Sequence, residues 1–268
     1  MLKPKNNFKV VADKKNARVI LPNMLTLIGV CIGLTSIRFA LDGRFEFAII
    51  AIILAAVIDG LDGRIARLIK GTSKVGKELD SLTDMISFGV APAFIMYFWS
   101  LNTLGRFGWL VCLIYVICVA LRLARFNVNS GQEPSWRDNF FEGVPSPAGG
   151  ILVLTPLIFS MTNFKFIPIN YDIVVPIFFI ATSFLLISKF PSYSFKKIVI
   201  QRKTTIFLLF GIVLFFGLLL IYPFNLIAIS AIVYLAMLPI SFFHFQKLKK
   251  QNEDLNFRDE DDDLEDVL

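Results

Sequence analysis

Residues 47–84 read FAIIAIILAAVIDGLDGRIARLIKGTSKVGKELDSLTD, an apolar run that gives way to four aspartates, Asp59, Asp62, Asp80 and Asp84. Carboxylates at membrane depth are expensive, so they need partners or a chemical task. Asp59 and Asp62 lie one helical turn apart, and Gly63, Ala66 and Arg67 continue the same stripe. Asp80 and Asp84 also share a face. Between the two pairs, KGTSKVGKE contains two glycines and reads as a tight turn. Two antiparallel helices joined this way would bring both pairs of carboxylates together.

Whether that place is a membrane follows from composition. The 268 residues are 56% hydrophobic, with 28 Phe and a mean hydropathy of +0.68. Soluble domains average about 45–50% apolar even with glycine counted. Several runs reach the ~20 apolar residues that cross a bilayer core. A soluble protein with this content would need a core larger than the chain can enclose. The expected class is an all-α polytopic membrane protein of about eight transmembrane helices, at 21–41, 46–69, 79–99, 107–127, 144–162, 172–188, 204–221 and 224–245. The first span follows a basic segment but runs too long for a signal peptide and lacks a small-residue cleavage site, so it reads as retained.

Three regions result: a basic segment 1–20, a transmembrane catalytic domain 21–245, and an acidic, disordered tail 246–268. With the N-terminus inside, 23 of the 27 Lys and Arg fall on the cytoplasmic side, leaving Arg38, Arg44, Arg106 and Lys165 opposite. That imbalance predicts both termini in the cytoplasm and places the aspartates at the cytoplasmic face of a bacterial-type inner membrane. Residues 251–268 of the tail hold nine acids against Arg258, and without them the +6 chain would carry about +14. A basic body of this kind suits anionic lipid and anionic substrates, and no nucleic-acid partner is expected. Cys31, Cys112 and Cys118 lie inside spans and read as small apolar residues. His244 is the only histidine, so any metal would be held by oxygen.

Four carboxylates in a small volume repel one another, and hard divalent cations that prefer oxygen ligands neutralise them. Four acids on two helices suit a two-metal site, which clamps the attacking and leaving oxygens of a phosphoryl transfer. Gly63 and Ala66 leave room for a bulky anion, and Arg67 is placed to pair with its phosphate. Helix-capping acids balanced by nearby Lys and Arg would explain one or two of the four, not a paired set with small residues between.

The pattern D-x-x-D-G-x-x-A-R, eight residues, G-x-x-x-D-x-x-x-D is met at Asp59, Asp62, Gly63, Ala66, Arg67, Gly76, Asp80 and Asp84. It resembles the signature of the CDP-alcohol phosphatidyltransferases. LPNMLTL (21–27), ELDSLTDMISFGVAPA (78–93), LRLARFN (121–127) and FEGVPSPA (141–148) look most like the members whose acceptor is serine. The resemblance implies a six-helix catalytic core, often homodimeric, and transfer of the phosphatidyl group of CDP-diacylglycerol to L-serine. It implies Asp59, Asp62, Asp80 and Asp84 as ligands of Mg2+ or Mn2+, two ions per site, with Asp84 also the general base. It further implies that Gly63, Arg67, Ser73 and Gly76 bind the CDP-lipid.

The acceptor's carboxylate and ammonium call for an Arg and an acid or carbonyl. Arg122, Arg125, Asn127 and Glu142 are the serine-binding candidates, although both arginines also fit as cytoplasmic anchors. Gly143, Pro145 and Pro147 read as shaping the start of the fifth span. Two other readings fit the same residues. One is the same chemistry on glycerol 3-phosphate or an inositol phosphate, kept open by Lys189, Lys196, Lys197, Arg202 and Lys203. The other is a divalent-cation transporter, against which stands the near absence of polar residues in the late spans.

Overall fold

The computed structural model describes the backbone of residues 14–69, 71–129, 140–162, 170–193 and 202–265. Helix α1 (Lys14–Leu41) turns at Gly43, whose positive φ of 74° suits glycine, into α2 (Phe45–Leu68). Glu46 near the start of α2 and Arg67 near its end both complement the helix dipole. α3 (Lys74–Asp84), a π-helical turn (Met85–Val90) and α4 (Ala91–Trp99) form one continuous rod. After a 3-10 turn come α5 (Arg106–Asn129), α6 (Ser146–Ser160), α7 (Tyr171–Ile187), α8 (Arg202–Ile221) and α9 (Pro223–Glu265). Among the described residues the helices thus make eight rods.

The rods pack through small residues, as helices do in lipid, where dispersion and backbone approach replace the hydrophobic drive. α2 buries Ala48, Ala51 and Ala55 beside Ile49 and Ile52, and α1 runs along it. α1 also crosses the π-helical turn, where Gly33 lies so close to Ser87 that a Cβ at position 33 would collide with the Ser87 hydroxyl. Wide turns of this kind leave backbone groups to be satisfied elsewhere. Buried Tyr115 on α5 does so, donating to the Phe88 carbonyl at 2.6 Å.

Outward faces are apolar. Leu54, Val57 and Leu61 on α2, Ile114, Ile117 and Leu121 on α5, and Phe207, Phe210 and Leu214 on α8 are all exposed. Continuous apolar cover of this kind belongs in lipid rather than water. Four helical stretches, Ile20–Leu41, Lys74–Trp99, Arg106–Val128 and Pro223–Lys249, are long and apolar enough to cross a membrane. α6 and α7 are apolar but shorter, while α2 carries the charges of its aspartate motif in its last turns.

Three features depart from the sequence expectation. The turn after α2 is shorter, because α3 begins at Lys74 rather than near 79. A two-stranded antiparallel ribbon, β1 (Phe140–Glu142) with β2 (Pro191–Tyr193), ties the loop before α6 to the loop after α7. It ends at Gly143, whose φ of 78° and tight approach to the carbonyls of Leu186 and Ser188 leave no place for a side chain. Last, α9 carries its helical backbone through Glu265, into the acidic segment read as disordered. Side chains from Lys250 onward lie outside the described residues.

Candidate active site

The short turn after α2 is closed from both sides. Gly71 N–H donates back to the Ala66 carbonyl at 2.9 Å, and Ser73 caps α3 by accepting from Gly76 N–H at 2.9 Å. With α2 and α3 so joined, the periodic aspartates meet. Asp59, Asp62 and Asp80 each offer a carboxylate oxygen, and these oxygens all lie within 4.8 Å of one another. Asp84 joins the group through Asp59, whose side chain is within hydrogen-bonding reach.

The fit to a cation rests on unspent oxygens. Asp62 Oδ2 accepts from the Thr26 hydroxyl of α1 at 2.6 Å, but Asp62 Oδ1 is buried with no hydrogen-bond partner. Asp84 Oδ1 is likewise buried and unpartnered. Buried carboxylate oxygens left without donors, drawn together against their own repulsion, are the donor set that hard divalent cations select. Asp59, Asp62 and Asp80 form the three-carboxylate group able to hold a metal, with Asp84 at its edge.

Beside the cluster opens a cleft of about 470 Å³, walled by Pro22, Asn23 and Thr26 of α1, the 62–66 turn of α2, and residues 71–80 of the loop and α3. Gly63, Ser73 and Gly76 all line it. A Cβ at Gly63 would meet nothing within 4 Å, so the bare backbone faces open space. Gly76 is bare for another reason: a Cβ there would come 2.8 Å from Asn23 Oδ1 and 3.1 Å from Ser73 Oγ. Arg67 stands exposed outside this lining, its Nε folded back on the Gly63 carbonyl at 3.0 Å.

The four acceptor candidates separate. Arg122 is buried, 8% exposed, with Nη1 donating to the Ser146 hydroxyl, and its charge acts on Asp84. Arg125 instead reaches the Leu186 carbonyl at the end of α7, at 3.3 Å. Asn127 is tied to α3, donating to Ser81 at 2.9 Å while Lys77 donates to its backbone carbonyl at 3.2 Å. The Glu142 side chain lies outside the described residues. Asn23, Thr26 and Lys77 also line the cleft, outside the aspartate motif. Their only sequence signal was the 21–27 stretch and a lysine in the turn, because which α1 residues meet α2 is a long-range matter.

Residues 19–188 match the family described as CDP-alcohol phosphatidyltransferase. The CDP-diacylglycerol–serine O-phosphatidyltransferase of Mycobacterium leprae is 36% identical over 231 residues, covering 83% of this chain and 74% of that protein. The protein of the same name from Mycobacterium bovis is 43% identical over 144 residues, 53% of this chain and 50% of its own length. Its namesake from Helicobacter pylori (strain 26695) is 33% identical over 220 residues, covering 82% and 90%. The matched segment takes in α1, α2, the α3–α4 rod, α5, α6 and α7, which are six rods, and leaves α8 and α9 outside. With the aspartate cluster seated between two of those six rods, the chain belongs to the CDP-alcohol phosphatidyltransferase family.

Proposed function

We propose that the chain transfers the phosphatidyl group of CDP-diacylglycerol to the hydroxyl of L-serine, releasing CMP and forming phosphatidylserine. The observation that carries this reading is the carboxylate cluster of Asp59, Asp62 and Asp80 opening on a cleft with the bare Gly63 backbone. The names of the similar proteins support the acceptor.

In this reading the cleft receives the cytidine and phosphates, while the acyl chains lie between rods. The serine oxygen bonds to the β-phosphorus as the bond to the CMP oxygen breaks. The hydroxyl proton passes to Asp84, because an alcohol is a poor nucleophile until a base relieves it. Asp59, Asp62, Asp80 and Asp84 would hold two divalent cations, Mg2+ or Mn2+, which when bound would supply charge neutralisation at the phosphates and the leaving CMP. Most of the acceleration is positioning and electrostatics.

Arg67 completes the lipid site. Its guanidinium already turns toward Gly63 through Nε, which leaves the planar fork for a phosphate. Arg67→Lys is expected to raise the KM for CDP-diacylglycerol about tenfold, since a point charge replaces the fork. An unchanged KM would place Arg67 away from the substrate.

Eight spans with both termini in the cytoplasm agree with the positive-inside count, and α8 and α9 are then the accessory pair. The family likeness supports a homodimer. The acidic tail is read as dispensable for chemistry: truncation after Lys250 is expected to leave kcat and both KM values at wild type. Loss of turnover in a correctly inserted truncation would show that the tail reaches the site. The serine reading itself is tested by incubating purified protein with labelled L-serine and CDP-diacylglycerol and identifying the lipid formed. Labelled phosphatidylserine supports it, and unlabelled lipid with CMP release to water refutes it.

A further inference from the structure

Asp62 is held from outside the aspartate motif. Thr26, on α1, donates its hydroxyl to Asp62 Oδ2 at 2.6 Å, and both residues are buried, 4% and 3% exposed. The contact follows from where α1 runs. A Cβ at Gly29, one turn beyond Thr26, would touch Thr83 of α3 at 3.6 Å and Ile58 of α2 at 3.8 Å. One turn before Thr26, Asn23 Oδ1 approaches Gly76 of α3. This face of α1 therefore lies along the seam of α2 and α3, the two helices that bring the aspartates together. Thr26 Oγ1 also lies 3.0 Å from the Pro22 carbonyl. Its single proton serves one acceptor best, and the charged acceptor at the shorter distance makes the stronger bond.

The two oxygens of Asp62 are thus unlike. Oδ2 is engaged by Thr26, whereas Oδ1 is buried with no partner. Thr26 lines the same cleft as Asp62, Gly63 and Asp80. A hydrogen bond to a ligating carboxylate from outside the metal's own ligands orients it, and here it leaves one oxygen for the ion. Cations differ in what they ask of a carboxylate. Mg2+ demands a near-ideal octahedron with short bonds, which one oxygen per carboxylate suits. Ca2+ gathers about 6–8 oxygens in a flexible shell and readily takes both from one carboxylate.

Resting on the reading of the carboxylate cluster as a metal site, we propose that Thr26 is a positioning residue that makes Asp62 a one-oxygen ligand and so favours Mg2+ over Ca2+. The hydroxyl holds Oδ2 back and leaves Oδ1 for the ion. Without the hydroxyl the carboxylate turns freely and offers both oxygens. That misplaces the ligand for Mg2+ and suits Ca2+. α1 thereby tunes the metal site through a side chain that carries no charge and ligates nothing itself.

The test is calorimetric titration of the full-length, substrate-free protein with Mg2+ and, separately, with Ca2+, so that no turnover enters the readout. Wild type, Thr26→Val and Thr26→Ser are compared. Thr26→Val keeps the shape and removes the hydroxyl, and it is expected to raise the Kd for Mg2+ about 10- to 100-fold, the usual loss when such an outer partner is removed. Its Kd for Ca2+ should not rise, so the preference for Mg2+ narrows by at least the same factor. Thr26→Ser keeps the hydroxyl and should restore both constants to wild type. If Thr26→Val fails to insert, Thr26→Ala carries the same comparison of the two ions within one protein. An unchanged Kd for Mg2+ in the variant lacking the hydroxyl overturns the proposal. Equal weakening of both ions overturns it too, because that is what a hydroxyl needed only for packing α1 on α2 would give. A wild type that binds neither ion would instead refute the metal reading, and the role of Thr26 with it.

Discussion

Asp84→Asn is expected to lower the single-turnover rate of phosphatidyl transfer by about 10²–10⁴, the usual worth of a general base, while CDP-lipid affinity stays close to wild type. The amide keeps the shape and one oxygen at the edge of the cluster, where Asp84 touches Asp59. It cannot take the serine proton. Gly63, Ser73 and Gly76 of the cleft are untouched by the change. Asp59→Asn is the informative comparison, because Asp59 belongs to the three-carboxylate group and its loss should weaken cation occupancy and substrate binding together. Affinity and single-turnover rate at saturating Mg2+ for both variants separate the roles. Equal losses of both quantities in the two variants would make Asp84 only another ligand, and a near wild-type rate in Asp84→Asn would remove the base altogether.

Removing the divalent cation should have a still larger effect. With the cation stripped by excess chelator, turnover is expected to fall to background and to return on adding Mg2+ or Mn2+. The cause is the charge balance of the cleft: Asp62 Oδ1 and Asp84 Oδ1 are buried and unpartnered, and two anionic phosphates cannot approach four carboxylates without positive charge between them. Calorimetry gives a readout independent of turnover, since Asp80→Asn should bind the cation more weakly than wild type. Full activity in excess chelator would falsify the metal assignment.

The parts of this site that could be read from sequence are those fixed by local periodicity. Asp59 and Asp62 share a face because a helix repeats every 3.6 residues, and the same holds for Asp80 and Asp84. A charged motif at the end of an apolar run then placed the cluster between two rods before any packing was known. Where the sequence misled, tertiary contact had overruled a local cue. Gly76 reads as a turn residue, yet it lies inside α3, bare because Asn23 Oδ1 approaches it. Arg125 and Asn127 sit within a turn or two of Arg122, so spacing alone made them equal candidates for the acceptor. Only the placement of α7 and α3 shows Arg125 on Leu186 and Asn127 on Ser81. The ribbon of β1 with β2 was equally invisible, because it forms where two loops distant in sequence meet.

The most direct test of the account is CMP release from CDP-diacylglycerol by the purified chain with L-serine, glycerol 3-phosphate, inositol or no acceptor. The account predicts Mg2+- or Mn2+-dependent CMP release with L-serine and only background release in the other three reactions. Release that is driven by glycerol 3-phosphate or inositol and is indifferent to serine would contradict it, as would no release with any acceptor.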